Sequence, residues 1–434
     1  FFIFADDWGW GDLGCHGHPY LKTPNIDRLA NEGTDFHRFS VASGVCSPSR
    51  TAVMTGHFPA RYNIDGHFAW VPSNQRRNMP DWLDPEAPLL PRFLKQYGYA
   101  TAHYGKWHLA NDMIPDSPFP SAYGYDDYGS YNCSGPQMFV HDDVKSAIPF
   151  MKKSHDEGKP FFINLWIHEP HTPFHVDPKL QKLFPDLPKA DNIYAATLYH
   201  ADLRIGKFLD ALDEMKISDN TLVIFSSDNG PARGSPNSPI ALSYDSATGP
   251  GYGIGAAKGI TGGRRAFKGA LLEGGIGVPF IARWPGKIAA GKVDKTSVLS
   301  AVDLLPTFCE LGNVKLPRSY KPDGISQVSA LMGKGNPLRK KPIFWRMSAP
   351  WPANESKPDH WVAYAVVHEQ WKLVLNKDQS NAELFDLVRD PLEKKNISQE
   401  YPKIVVALQD MLGEWITSLP VKPTGKVFSK LRGQ

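Results

Sequence analysis

The chain has 434 residues, 41% of them apolar and 21% charged, with 48 Lys and Arg against 45 Asp and Glu for a formal charge of +3. That length exceeds one small core and predicts a large domain with a smaller companion. The composition excludes a disordered chain, and the near-balanced charge excludes the basic surface of a nucleic-acid partner. No run of eighteen apolar residues occurs, so no membrane span is expected. Cys15, Cys46, Cys133 and Cys309 are widely spaced; they form no Cys-x-x-Cys zinc pattern and allow at most one or two bridges.

Phe1 to Ala5 is an unbroken apolar run ending in Asp6-Asp7, as in a strand buried on both faces. A chain starting inside a strand is expected to continue upstream, where any signal peptide would lie. Thr23-Pro24 opens a helix with Ile26, Leu29 and Ala30 on one side and Gly33 as its stop. A second helix is predicted from Cys46, with Pro48 in its first turn and Gly56 just past its end. Helices follow at about 89–97, 142–155 and 190–215. Strands are predicted at 99–104, ending in Gly105-Lys106-Trp107-His108, and at 160–167, ending in His168-Glu169-Pro170-His171. A further strand at 221–225 ends in Ser226-Ser227-Asp228-Asn229-Gly230.

Strands alternating with helices argue for a parallel or mostly parallel α/β sheet. Ligands of such sheets bind beyond the carboxyl ends of the strands. Asp6, Asp7, Lys106, His108, His168, His171, Asp228 and Asn229 all follow apolar runs, so they converge on one rim. Asp6, Asp7, Asp228 and Asn229 offer an oxygen donor set suited to calcium or magnesium. His103 lies inside a strand and reads as a packed core histidine; His141, His155 and His200 are placed on helix surfaces.

The segment 231–265 is rich in Gly, Pro and Ser, has no periodicity and reads as a long functional loop. A strand at 278–283 and a helix at 302–311 follow. Short strands near 342–347, 361–367, 371–375 and 382–387, then a helix at 401–417, predict a smaller α+β domain with an antiparallel sheet. The domains are set at 1–338 and 339–434. Asn132-Cys133-Ser134, Asn354-Glu355-Ser356 and Asn396-Ile397-Ser398 match the glycosylation pattern.

A helix beginning at Cys46 puts that thiol at a positive dipole end, with Arg50 one turn on along the same face. Cys46-Ser47-Pro48-Ser49-Arg50, with Thr55-Gly56, resembles the signature of the type I sulfatases and departs from it only at Val53. Gly105 to His108, the stretch ending in His171, and Lys268 through Gly275 also resemble that family; Gly277 stands where it often has Arg. The resemblance implies an alkaline-phosphatase-like large domain. It implies conversion of Cys46 to Cα-formylglycine, whose hydrate attacks sulfur, and a metal on Asp6, Asp7, Asp228 and Asn229. Arg50 then holds the nucleophile, and Lys106 and Lys268 bind sulfate oxygens. His171 or Lys268 protonates the leaving oxygen, and His108 takes a proton as the aldehyde re-forms. His168, Asp65 and His67 are assigned to substrate. The expected function is desulfation of a carbohydrate, such as a galactose or N-acetylhexosamine sulfate, by a periplasmic or secreted enzyme matured by a formylglycine-generating or anaerobic partner. The alternatives are a phosphodiester or phosphonate hydrolase of the same superfamily and a non-catalytic sulfated-glycan binder.

Overall fold

Alternate residues of the first strand, Phe2–Ala5, enter two different cores. Phe2 and Phe4 pack on one side with Trp107, Trp166 and Phe280, while Ile3 and Ala5 pack on the other with Ile193, Leu198 and Phe208. That two-sided burial is why the run carries no polar residue. A computed structural model describes residues 1–135, 137–235, 237–334, 339–348 and 357–433.

The strand lies inside an eight-stranded sheet whose order is Lys292–Asp294, Thr34–Phe36, Phe280–Arg283, Val223–Ser227, Phe2–Ala5, Phe161–Trp166, Ala100–Lys106, Asp127–Tyr131. Neighbours run parallel except at Phe280–Arg283, which opposes both of its partners. Three of these strands are additions to the sequence reading: Thr34–Phe36, Asp127–Tyr131 and Lys292–Asp294. The helices Pro24–Glu32, Asp143–Asp156 and Lys189–Glu214 cover one face. The helix Cys46–Thr55 sits on the other, every residue buried, and stops at Gly56, whose φ of 63° closes it with an N–H bond to Ala52.

The 231–265 segment is not featureless. It contains the antiparallel pair Leu242–Asp245 and Gly249–Tyr252, closed by Asp245 Oδ1 accepting the N–H groups of Ala247 and Thr248. Leu242 and Tyr244 are exposed, so no alternation against a core announced these strands. The hairpin docks through Phe174 and Tyr252, which exchange backbone hydrogen bonds.

The C-terminal strands Ile343–Arg346, Tyr364–His368, Trp371–Leu375 and Ala382–Asp386 form an antiparallel sheet in sequence order. The helix Pro402–Thr417 packs on it, with Trp415 stacked on Phe344. This sheet shares its core with the face of the large sheet that carries the Cys46 helix, and Trp345 Nε1 donates to the Val41 carbonyl. The division set at 338/339 borders 335–338, and the Asn354 glycosylation match lies in 349–356; both stretches are outside the described residues. All four cysteines are free thiols. No helix among the described residues is long and apolar enough to cross a membrane.

One buried ion cluster joins the two sheets. Lys372 Nζ lies 2.9 Å from Glu273 Oε1 and 2.7 Å from Glu393 Oε1, with all three side chains inside the protein. Removing one partner of such a cluster strands the others without charge balance. Lys372→Met is therefore expected to cost about 3–5 kcal/mol in urea unfolding. A loss below about 1 kcal/mol, the level of an exposed pair, would contradict that reading.

Candidate functional site

Strand ends along one rim of the sheet assemble the site. Asp6 and Asp7 follow Phe2–Ala5, Asp228 and Asn229 follow the neighbouring Val223–Ser227, and Lys106 closes Ala100–Lys106. Gly105 makes the Lys106 position available: its φ is 103°, and a Cβ there would sit 2.1 Å from the Trp166 carbonyl oxygen. The Cys46 helix points its first turn at this rim. The Lys268 segment is tied to it by the Gly269 N–H donating to Gly44 O at 2.7 Å. A Cβ on Gly44 would lie 2.3 Å from Ala270 O, so the two segments meet at backbone distance. Asp7 and His108 hold left-handed φ values of 67° and 50°, a strain that clusters at functional sites.

Cys46 Sγ lies 3.5 Å from both Asp6 Oδ1 and Lys106 Nζ. Lys106 also donates to Asp6 Oδ2 in a short charged bond. Lys268 Nζ donates to Asp7 Oδ2 at 2.6 Å, and Asn229 Nδ2 donates to Asp7 Oδ1 at 2.7 Å. Arg50 puts Nε and one terminal nitrogen on Asp228 Oδ2, at 3.0 and 2.6 Å, and its other terminal nitrogen on Lys106 O at 3.2 Å. Trp166 and Phe4 flank its guanidinium at 4.9 and 5.6 Å. His171 Nε2 stands 3.9 Å from Asp7 Oδ2, while its Nδ1 is committed to the Thr172 carbonyl.

Three buried carboxylates thus face three buried cations, Arg50, Lys106 and Lys268, so the cluster is neutral as it stands. Asn229 Oδ1 is buried with no hydrogen-bond partner, an unsatisfied acceptor beside Asp7. An orphaned oxygen among carboxylates is the donor chemistry a hard divalent cation takes. Ligand atoms of Asp6, Asp7, Cys46 and His171 also lie within 4.8 Å of one another. The residues present fit such an ion. Burial pushes the Asp228 carboxyl up to about 6 against the pull of Arg50. Burial and the Asp228 charge push the Cys46 thiol well above its ordinary value, so it is not a thiolate.

The remaining sequence candidates separate. His108 is buried, with Nε2 on the Phe68 carbonyl at 3.0 Å and Nδ1 unpartnered. His67 lies beside it, ring centroids 6.3 Å apart, on the loop held by Phe68 N donating to Ser47 Oγ. His168 is buried behind His171, with Nε2 on the Pro173 carbonyl at 3.0 Å, and is not brought to the carboxylates. Asp65 is taken by Arg346, Nε to Oδ1 at 2.9 Å. That pair joins the Cys46 side to the C-terminal sheet. His103 is a core histidine, stacked edge-on against Trp107 and Trp166.

His141 precedes the helix Asp143–Asp156, and His200 is a half-buried residue of the helix Lys189–Glu214. They gather around Glu169, where Arg204 bridges Glu169 and Asp143. Glu169 is signalled by its place between His168 and Pro170, but Arg204 lies on a long helix with nothing in its neighbourhood to mark it. The Trp166 face over Arg50 was likewise unsignalled.

Comparisons with known proteins show which family this chain resembles. Residues 1–314 match the family model Sulfatase, and residues 265–418 match N-sulphoglucosamine sulphohydrolase, C-terminal. N-acetylgalactosamine-6-sulfatase of Canis lupus familiaris is 31% identical over 389 residues, covering 79% of this chain and 67% of its own. Arylsulfatase G of Rattus norvegicus is 29% identical over 381 residues, covering 76% and 68%. The crystal structure of Ps i-CgsB in complex with k-i-k-neocarrahexaose superposes with a TM-score of 0.79 at 26% identity, over 99% of this chain and 94% of that one.

Proposed function

This chain belongs to the sulfatase family and is a sulfuric ester hydrolase, and we propose that it removes sulfate from a galactose- or N-acetylhexosamine-containing saccharide through the site around Cys46. The observation that carries the reading is the meeting of Cys46, Asp6, Lys106 and, across Arg50, Asp228 in one buried cluster from four distant parts of the chain. The saccharide class is supported by relatives named for N-acetylgalactosamine-6-sulfate and by the neocarrahexaose complex.

Cys46, converted to Cα-formylglycine, would supply a hydrated aldehyde as the nucleophile. Calcium or magnesium on Asp6, Asp7, Asp228 and Asn229 would supply Lewis-acid charge. The chain's own residues do the rest. Arg50 fixes Asp228 and the floor of the pocket. Lys106 and Lys268 point ammonium groups at the residue-46 side chain and the carboxylates, where sulfate oxygens need positive charge. His171 donates Nδ1–H to the Thr172 carbonyl, so Nε2 is open; that nitrogen once protonated, or the Lys268 ammonium, hands a proton to the departing sugar oxygen. His108 Nδ1 accepts the proton lost at residue 46. His67 borders the substrate side, whereas Asp65 and His168 act through Arg346 and His171. Polymeric glycans do not cross membranes, which supports a periplasmic or secreted enzyme matured by a formylglycine-forming partner.

The test is a desulfation screen on defined galactose, N-acetylgalactosamine and glucosamine sulfates beside a phosphodiester, on protein whose residue-46 conversion is measured by intact mass. Sulfate release from a sulfated saccharide, lost on chelation and restored by calcium, is expected. Faster phosphodiester than sulfate turnover, or a fully converted protein inert on every sulfate, would overturn the proposal.

A further inference from the structure

A second group of metal-ligating side chains stands apart from the Cys46 pocket. The strand Thr34–Phe36 pairs with Phe280–Arg283 and Lys292–Asp294, and side chains two apart share one face. Asp35 lies in this strand and His37 one residue past its end, where its ring turns back to Asp35, and His16 reaches them from the turn Gly14–His16. His16 Nε2 lies 2.8 Å and His37 Nε2 3.1 Å from the same oxygen, Asp35 Oδ2. Ligands of a tetrahedral ion with bonds near 2.0 Å stand about 3.3 Å apart, close to this spacing.

The hydrogen bonds say which atoms face inward. His16 Nδ1 lies 2.5 Å from the Trp10 carbonyl oxygen, so Nδ1 carries the hydrogen. A neutral His16 ring then turns the bare Nε2 lone pair onto the Asp35 carboxylate, lone pair against lone pair, unless a cation sits between them. A carbonyl lock on the outer nitrogen is the device that orients a metal-bound imidazole. The second Asp35 oxygen, Oδ1, is buried without a partner, and Asp35 is 4% exposed. Trp10 stacks on His16 at 4.0 Å and meets His37 edge-on at 5.1 Å, covering one side. The open side lies at His37, whose side chain is 22% exposed against 1% for His16.

We propose that His16 Nε2, His37 Nε2 and Asp35 Oδ2 hold a zinc-class divalent cation that pins the segment after Asp7 to the strand Thr34–Phe36. Two imidazoles and one carboxylate select zinc over the hard cations that suit Asp6 and Asp7. The group His141, Glu169 and His200 resembles it in composition only. There Arg204 donates to both Glu169 Oε1 and His141 Nδ1, so the positive charge is already supplied.

The test is calorimetric titration with zinc chloride of the calcium-loaded Cys46→Ala protein, so that the pocket thiol takes none of the zinc. The parent, H16Q, H37Q and D35N are compared. One zinc per chain is expected in the parent, with affinity more than about 10-fold weaker in each variant. Should the variants misfold, cobalt(II) bound to the parent in excess calcium is expected to show the strong visible bands of a four-coordinate nitrogen site. Equal zinc affinity in parent and H37Q, or a parent without zinc binding or those cobalt bands, would overturn the proposal and leave a proton as the shared cation.

Discussion

Cys46→Ala is expected to lower sulfate-ester turnover by at least about 10⁴-fold, the scale on which enzymes lose kcat when the nucleophile is removed. No other group at the pocket can take over. The hydrogen-bond partners of Cys46 Sγ are an aspartate and a lysine, each already spent on the other. The fold should survive, because a thiol replaced by a hydrogen leaves a void of one atom, worth about 1 kcal/mol. The raised thiol pKa makes a further distinction. A cysteine kept protonated is a poor nucleophile at neutral pH, so unconverted wild-type protein should be as inactive as the alanine variant. Turnover is compared with the fraction of residue 46 converted, read by mass. A rate that does not scale with that fraction, or an alanine variant within tenfold of wild type, would sink the assignment of residue 46.

Much of this site could be read from the chain because its signals are local. Pro48 and Gly56 bracket a helix that runs Cys46–Thr55, and the apolar runs before Asp6, Lys106, His168 and Asp228 are all strands of one sheet. A strand buried on both faces must be apolar until it surfaces, so its first polar residue marks the rim. Other features are pairings between residues far apart, which no local pattern encodes. Asp65 is read as a loop acid open to substrate, yet Arg346 sits 281 residues away and takes it. Thr34–Phe36 and Lys292–Asp294 are three residues each, shorter than any periodicity can show. His16 and His37 carry no sequence reading of their own, because only the fold brings His16 to the Asp35 oxygen that His37 also meets.

Among the residues of the site, Arg50 is the one whose loss should cost the most stability. It is fully buried, bonds Asp228 through two nitrogens and the Lys106 carbonyl through a third, and is flanked by Trp166 and Phe4. Arg50→Ala removes one of three cations that balance three carboxylates, and strands Asp228 in a dry pocket. Breaking a buried pair from one side costs about 3–5 kcal/mol, and that loss is expected in urea unfolding of the metal-free protein. Added calcium should recover part of it, since an ion on the carboxylates replaces the missing charge and stabilises by mass action. Arg50→Lys separates charge from shape. It restores one positive charge, but an ammonium can neither reach Asp228 and the Lys106 carbonyl together nor present a plane to Trp166. The lysine variant is therefore expected to regain stability without regaining turnover. If lysine restores both, charge alone is what the position requires. If alanine costs less than about 1 kcal/mol, the Asp228 carboxyl has simply taken up a proton, a route left open by its raised pKa of about 6. In that case the variant's stability loss should grow as pH rises above 6, where the parent's Asp228 ionises against Arg50 while the variant's carboxyl, pushed higher without that partner, stays protonated.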